Sequence, residues 1–218
     1  MVTSSYKNFD SDLYYCYSIS GDGGKNARYT GKKYPQLAPK ITFWKKWNDN
    51  KGKVSEEENN KYYVEEYYKE VLSKLDPEEV YGVLKHRVLL CYEDSAEFCH
   101  RHIVAEWLNI LLNIDVPEVK CVNGELEPVE RPKYIRDYLE EAMRKNLNMH
   151  GYNSLRAQYL FEESQRIKQE ADNLEKKFGR SFEGYRQAAS FLDYKANEEE
   201  RKYNNQRQPK IKLKEIGK

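Results

Sequence analysis

At 218 residues, the chain is long enough to bury a hydrophobic core without disulfides or metal ions. Charged residues make up 33% of it, but the net charge is only +1, and the four cysteines lack the spacing of a disulfide framework. No apolar run approaches the roughly 18 residues of a membrane-spanning helix, and the opening MVTSSYKNF lacks the features of a signal peptide. We therefore predict a cytoplasmic protein with reduced thiols that does not contact a membrane.

The first forty residues are predicted to form two strands and a loop. Residues 1–6 have a weak strand preference, whereas residues 13–19 (LYYCYSI) have a strong one because β-forming residues fill the segment. Residues 20–39 contain four glycines and two prolines, which predicts a loop.

Helices are predicted from Ile41 onward. Residues 56–75 carry apolar side chains at three- and four-residue steps, as in an amphipathic helix. The next helix is predicted to begin in DPEEV, with Asp76 as N-cap and Pro77 as its first residue, and to end at Gly82.

The middle of the chain predicts the fold class. Residues 87–92 (RVLLCY) are typical of a buried strand, a helix capped by Asp94 or Ser95 follows, and residues 114–122 form a further strand. This order predicts an α/β domain over residues 1–122, with a small, mostly parallel sheet flanked by helices. In such sheets, ligands bind beyond the carboxyl ends of the strands.

The character of the sequence changes after residue 122. Residues 123–132 (NGELEPVERP) are predicted to be a linker, and residues 133–205 an all-helical extension with hinges at Gly151 and Gly179. Its three helices are predicted over residues 134–147, 153–178 and 181–203. Residues 206–218 are predicted to be a disordered basic tail.

The segment LLCYEDSAEFCHRHIVAEWL (residues 89–108) contains the main candidate reactive side chains. Cys91 and Glu93 are predicted at the end of a strand, and Cys99 and His100 in the first turn of the next helix. The free amides and positive dipole end there favour a bound anion and a thiolate at Cys99.

Four interpretations of this segment remain open. Cys99 can be a nucleophile, with His100 or His102 as base and Glu93 orienting it. The turn can bind an anion through its amides, Arg101 and His100. The cysteines and histidines can be structural core residues. A metal-dependent enzyme is the fourth, although the spacing is not that of a standard structural zinc site. Its ligands would be Cys91, Cys99, His100 and His102.

A second group of candidate ligand-binding residues follows the strand of residues 13–19. The GDGG segment there can offer backbone amides to a phosphate, although it matches no standard phosphate-binding motif. If the two strands are parallel neighbours, this loop lies near Cys99. The predicted ligand-binding residues are then Ser18, Ser20, Gly21, Lys25, Arg28 and Arg101.

The segment from Gly23 to Lys53 contains nine Lys or Arg, one acid and several aromatic residues. That combination suits a nucleic-acid backbone with stacked bases, or a phosphorylated small molecule. Charge complementarity with the acidic residues 56–79 is the competing explanation. At least one of Trp44 and Trp47 is expected to be a core residue of the helix from Ile41.

Four stretches also carry a family resemblance. RVLLCYEDSAEFCHRHIVAEWL resembles the hallmark of domain-of-unknown-function family 488, a strand ending in Leu-Cys-x-Glu followed by a Cys-His-Arg helix start. YSIS, YPQLAP and YYKEVLSKLDPEEV fit in the same order, so the resemblance covers about residues 1–122. It implies a small α/β domain with a shared site formed by Cys91, Glu93, Cys99, His100 and Arg101, and it brings no established reaction.

Together these patterns predict a protein that binds an anionic, nucleotide-like or nucleic-acid ligand at the Cys-His-Arg helix start. Chemistry on that ligand would use Cys99, His100 and Glu93. A non-enzymatic protein that binds a protein or nucleic-acid partner through its helical extension and basic tail is the alternative. The sequence contains no dinucleotide fingerprint and does not identify a cofactor.

Overall fold

The computed structural model describes residues 1–10, 12 and 14–207, which divide into two units, residues 1–147 and residues 148–207. Leu13, at the start of a predicted strand, and residues 208–218 of the predicted tail lie outside the described residues. None of the described helices is long and apolar enough to cross a membrane.

Unit 1 contains a six-stranded sheet in the order β3-β2-β4-β1-β5-β6, which is parallel except for the β5–β6 pair. Its strands are β1 (Val2–Ser5), β2 (Cys16–Ser18), β3 (Lys32–Lys33), β4 (Val88–Cys91), β5 (Glu118–Val122) and β6 (Glu125–Val129). All four residues of β4 are buried, as expected for a strand between two parallel neighbours. The predicted α/β fold with a mostly parallel sheet is confirmed.

Five helices belong to unit 1: α1 (Ile41–Asn50), α2 (Glu56–Glu70), α3 (Pro77–Leu84), α4 (His100–Leu112) and α5 (Tyr134–Asn146). The almost fully buried α4 packs against β1, β4, α2, α3 and α5. The predicted Asp76 cap of α3 is confirmed, since its carboxylate accepts hydrogen bonds from the amides of Glu78 and Glu79. Gly82, however, lies inside α3 and does not end it.

Three other local predictions differ from the structure. The predicted loop of residues 20–39 contains the short strand β3 and two single 3-10 turns, Lys25–Ala27 and Pro35–Leu37. Neither Asp94 nor Ser95 caps α4, because their segment forms a turn and Cys99 occupies the N-cap position. The helix predicted over residues 56–75 ends at Glu70, and a 3-10 turn over Leu72–Lys74 follows.

The predicted linker, residues 123–132, contains the edge strand β6. Asn123 and Gly124 both have positive φ angles, 52° and 86°, and form the two-residue turn of a β5–β6 hairpin. The helix α5 after it belongs to unit 1, where it packs on α2 and α4. The division between the units therefore follows Leu147, and the sheet unit is larger than the predicted α/β domain.

Unit 2 is a helical hairpin formed by α6 (Leu155–Phe178) and α7 (Glu183–Arg207), which pack against each other. Ser154 caps α6, and Gly179 ends it in the left-handed conformation, with φ 64°. Small buried residues, Ala171, Ala189 and Ala196, allow the two helices to approach closely.

Candidate functional site

The site lies at the carboxyl edge of the parallel strands. β4 ends at Cys91, Glu93 follows two residues later, and Cys99 and His100 begin α4. The main-chain amide of Ile19, just past β2, donates to the Leu90 carbonyl. The sheet therefore brings together the segments that the strand–helix–strand pattern predicts to meet.

These segments form the floor of a cavity of about 480 Å³, a volume in the range of small-molecule sites. Its walls come from the loop after β2, from α1 and α2, and from the β4–α4 connection. The lining residues are Ser20, Gly21, Asp22, Asn26, Pro39, Ile41, Trp44, Trp47, Tyr63, Cys91, Tyr92, Glu93, Phe98, Cys99 and His100.

On the cavity floor, one carboxyl oxygen contacts both cysteines. Oε2 of Glu93 lies 2.8 Å from the Sγ of Cys99 and 3.3 Å from the Sγ of Cys91. Burial, reinforced by negative charge at Cys99, raises the pKa of Glu93 to about 7. The Glu93 carboxyl is therefore able to give and take a proton near neutral pH.

His100 has a defined orientation. Its Nε2 lies 2.9 Å from the carbonyl oxygen of Ile19, which can only accept, so Nε2 carries the proton. Nδ1 then faces the sulfurs of Cys91 and Cys99 at 3.6 and 3.9 Å. Burial alone would lower the pKa of His100, but the negative charge of Cys99 outweighs it and raises the pKa.

The two cysteines have opposite acidities. Burial disfavours both thiolates, and it holds the pKa of the Cys91 thiol well above its ordinary value. At Cys99, the hydrogen bond from Cys91 and the positive charges of Arg101 and His100 outweigh burial and lower the pKa well below its ordinary value. The N-cap position of Cys99 adds the positive end of the α4 dipole.

Ligand atoms of Cys91, Cys99 and His100 all lie within 4.8 Å of one another, so these three residues can hold a soft cation such as Zn²⁺. His102, the fourth predicted ligand, is not part of this cluster. It is fully buried, with Nε2 3.4 Å from Oε2 of Glu118.

Arg101 is not placed as the predicted clamp for an anion. Its side chain is fully buried, and its Nε and Nη2 donate to Glu118 at 2.9 to 3.3 Å. Glu118 also accepts from the Thr3 hydroxyl at 2.6 Å, and Thr3 is its register partner on β1. Arg101 thus acts on the site through its charge, since its hydrogen bonds go to β5.

The predicted phosphate cradle in the GDGG segment is filled by the chain itself. Oδ1 of Asp22 accepts from the amide of Gly24, and Oδ2 accepts from the amide of Asn26. The Tyr92 hydroxyl donates to the same carboxylate at 2.6 Å. These amides are therefore engaged, and a phosphate would have to displace a tethered carboxylate.

The remaining predicted ligand-binding residues divide into two groups. Ser20 and Gly21 line the cavity. Ser18 is buried, 2.5 Å from the Tyr6 hydroxyl, while Lys25 and Arg28 are exposed outside the lining.

Several lining residues were not predicted as part of a site. Tyr63 comes from α2, and Phe98 precedes the α4 N-cap. Trp47 packs against both rings and donates from its indole nitrogen to Asn60, whereas Trp44 is 40% exposed at the cavity wall. Only the clustering of aromatic residues signals this wall in the sequence.

Comparison with known proteins identifies one family. No curated protein and no solved structure matches the chain significantly. Residues 16–110 match the family model DUF488-N3a, described as the active DUF488-N3 subclade. The matched region contains Cys91, Glu93, Cys99 and His100, and the match supports a family 488 assignment for residues 16–110, which are less than half of the chain.

Proposed function

We propose that the protein is a thiol-dependent enzyme that acts on a planar, nucleobase-like ligand in the cavity. The observation that carries this proposal is the placement of a sulfur, an imidazole and a carboxyl at one point of the cavity floor. The Sγ of Cys99 lies 2.8 Å from Glu93 and 3.9 Å from Nδ1 of His100. Nucleophile, base and proton donor are thus within reach of one another.

Each group has one role in this proposal. The Cys99 thiolate attacks an electrophilic carbon of the ligand, and the new S–C bond forms as the bond from that carbon to its leaving group breaks. The leaving group keeps the electron pair and takes a proton from the Glu93 carboxyl. Before the attack, the His100 imidazolium stabilises the Cys99 thiolate, and Cys91 donates a hydrogen bond to the same thiolate.

The aromatic walls favour a planar ligand. Trp44, Trp47, Tyr63 and Phe98 offer ring faces and edges on which a heterocycle can stack. Among the described residues, the cavity lining includes no Lys or Arg, but it includes the carboxyl groups of Asp22 and Glu93. This lining disfavours an anionic group, so the proposed ligand places an uncharged ring in the cavity and any phosphate outside it.

Protection of Cys99 tests this proposal. The full chain is treated with iodoacetamide at pH 7, and carboxamidomethylation at each cysteine is followed by peptide mass spectrometry. We expect adenosine, guanosine, cytidine or uridine at millimolar concentration to slow labelling of Cys99 at least about threefold, because a stacked base covers the sulfur.

The matched control is Cys121, a half-buried thiol outside the cavity lining, whose labelling is expected to be unchanged. Failure of all four nucleosides to protect Cys99, with Cys99 reactive, would contradict the assignment of a nucleobase-like ligand.

A further inference from the structure

The cations of the segment from Gly23 to Lys53 form an unpaired basic surface. The nine are Lys25, Arg28, Lys32, Lys33, Lys40, Lys45, Lys46, Lys51 and Lys53, and all are exposed. No ion pair within the described residues involves any of them. Three acids of α2 pair elsewhere: Glu57 with Lys61, Glu70 with Lys74, and Glu65 with Lys145 of α5. After the hydrogen bond from Lys74, the charge of Lys40 also helps to lower the pKa of Glu70. In the described part of the chain, however, no ion pair joins these cations to α2, so charge complementarity with the acidic helix explains only part of this surface.

Several of these cations adjoin the cavity wall. Lys25 lies between the lining residues Asp22 and Asn26, and Lys40 lies between the lining residues Pro39 and Ile41. Lys33 packs over the neighbouring loop, where a Cβ added to Gly23 would lie 2.6 Å from its Cδ. The cavity therefore has cations beside its wall although its lining has none.

The cavity itself opposes a phosphate. Burial would raise the pKa of Asp22, but hydrogen bonds from Tyr92, Gly24, Asn26 and Ser20 lower it to about 2, so this lining residue is an anion. A ligand that suits both regions places an uncharged ring inside and its phosphates outside, on the basic surface.

We infer that the ligand is a base of single-stranded nucleic acid, bound in the cavity while its flanking phosphates contact Lys25, Lys33 and Lys40. This inference rests on the proposed function for the planar ligand and adds the polymer and the surface that binds it. A base must be unstacked and unpaired to enter such a cavity, which favours a single strand over a duplex. The exposed Trp44 provides a stacking surface for it.

Fluorescence anisotropy with a 5′-labelled, ten-nucleotide single strand of mixed sequence tests the inference on the full chain. We expect binding that weakens with salt between 50 and 200 mM, with a log–log slope of about −2 for three phosphate contacts. The triple variant Lys25→Ala, Lys33→Ala, Lys40→Ala is expected to lose about tenfold in affinity at 100 mM salt and to flatten the slope, because those contacts are removed.

Two further variants separate specific contacts from net charge. Lys85→Ala, Lys133→Ala, Lys177→Ala removes the same charge from exposed positions outside the basic segment, and we expect less than about a twofold change. Trp44→Ala should weaken binding about tenfold at every salt concentration and leave the slope unchanged, because stacking is not electrostatic.

Three results would overturn the inference. The first is that the single strand does not bind. The second is that the two triple variants lose affinity equally, and the third is that a duplex of the same sequence binds as tightly as the single strand. If nucleosides protect Cys99 while the oligonucleotide does not bind, the nucleic-acid inference fails and the proposed enzyme remains. If the oligonucleotide binds as expected but Cys99 is unreactive, the enzyme fails and the binding surface remains.

Discussion

Glu93 is a buried carboxyl whose pKa is raised into the neutral range. In the folded protein its pKa is raised from 4.5 to about 7, mainly by burial and then by the charge at Cys99. An unfolded chain loses that proton near pH 4.5, whereas the folded chain keeps it until about pH 7. Stability from this group is therefore fully present at or below pH 4.5 and decreases as pH rises to about 7.

Glu93→Gln should remove this pH dependence, because a glutamine side chain does not titrate. From pH 5 to pH 8 we expect the wild type to lose on the order of 1–3 kcal/mol more unfolding free energy than Glu93→Gln. Urea unfolding of both proteins at pH 5, 6, 7 and 8 measures the difference. The exposed control Glu125→Gln should follow the wild type. Parallel curves for wild type and Glu93→Gln would contradict the raised pKa.

At the scale of elements, a buried ion pair joins α4 to the sheet. Arg101 of α4 is fully buried beside Glu118 of β5, and Thr3 of β1 also donates to Glu118. This pair holds the start of α4, and with it Cys99, against two strands. Removal of one partner leaves the other charge buried without compensation.

Glu118→Gln is therefore expected to destabilise the protein by about 3 kcal/mol or more. Glu127→Gln is the matched control, because it breaks the 3.1 Å ion pair between Lys120 and Glu127, two side chains that are both about half exposed. The loss of this exposed pair should cost less than about 1 kcal/mol. Chemical denaturation of both variants measures the contrast. Equal effects would show that the buried pair does not support α4.

Local sequence signals predicted those elements that local interactions decide. Asp76 and Pro77 mark the start of α3 by capping chemistry alone, and the apolar run at β4 is typical of a buried parallel strand. The dipeptide Asn123–Gly124 is an equally local hairpin signal. The linker prediction misses this hairpin because β6 carries few apolar residues to mark it as a strand.

The site was predicted only in part, because much of it depends on contacts between distant segments. Cys99 and Glu93 are close in sequence, so their proximity follows from one strand and one helix start. Arg101 instead pairs with Glu118, 17 residues away, and no local pattern distinguishes that partner from an anionic ligand. The aromatic wall likewise requires the packing of α1 and α2, from which Trp47 and Tyr63 come.

At the scale of the molecule, the chain divides after Leu147 and not near residue 122. Residues 123–147 supply the edge strand β6 and the helix α5, whose side chains Ile135, Leu139 and Met143 are buried. The binding of a partner by the helical hairpin of residues 148–207 stays a prediction.

Two truncations test this division. Residues 1–147 are expected to unfold cooperatively on their own, because they keep the whole sheet and the helices packed on it. Residues 1–123 lack β6 and α5 and should show a shallow transition or aggregate, since the apolar faces of α2 and α4 become exposed. Circular dichroism during thermal unfolding compares them. Equal cooperativity of the two fragments would contradict the assignment of α5 to the sheet unit.

The most direct test of the proposed enzyme is the pH dependence of Cys99 alkylation in the full chain, measured with a metal chelator present. Iodoacetamide labelling is followed at Cys99 and Cys91 separately from pH 5 to pH 9.5 in the wild type, and at Cys99 in Cys91→Ala, which has no side-chain donor at position 91. We predict a midpoint for Cys99 well below the value of about 8.5 for an ordinary thiol, with Cys91 unlabelled until alkaline pH. Loss of the Cys91 hydrogen bond should shift the Cys99 midpoint upward. A Cys99 midpoint at or above about 8.5, or faster labelling of Cys91 than of Cys99, would contradict a thiolate nucleophile at this position.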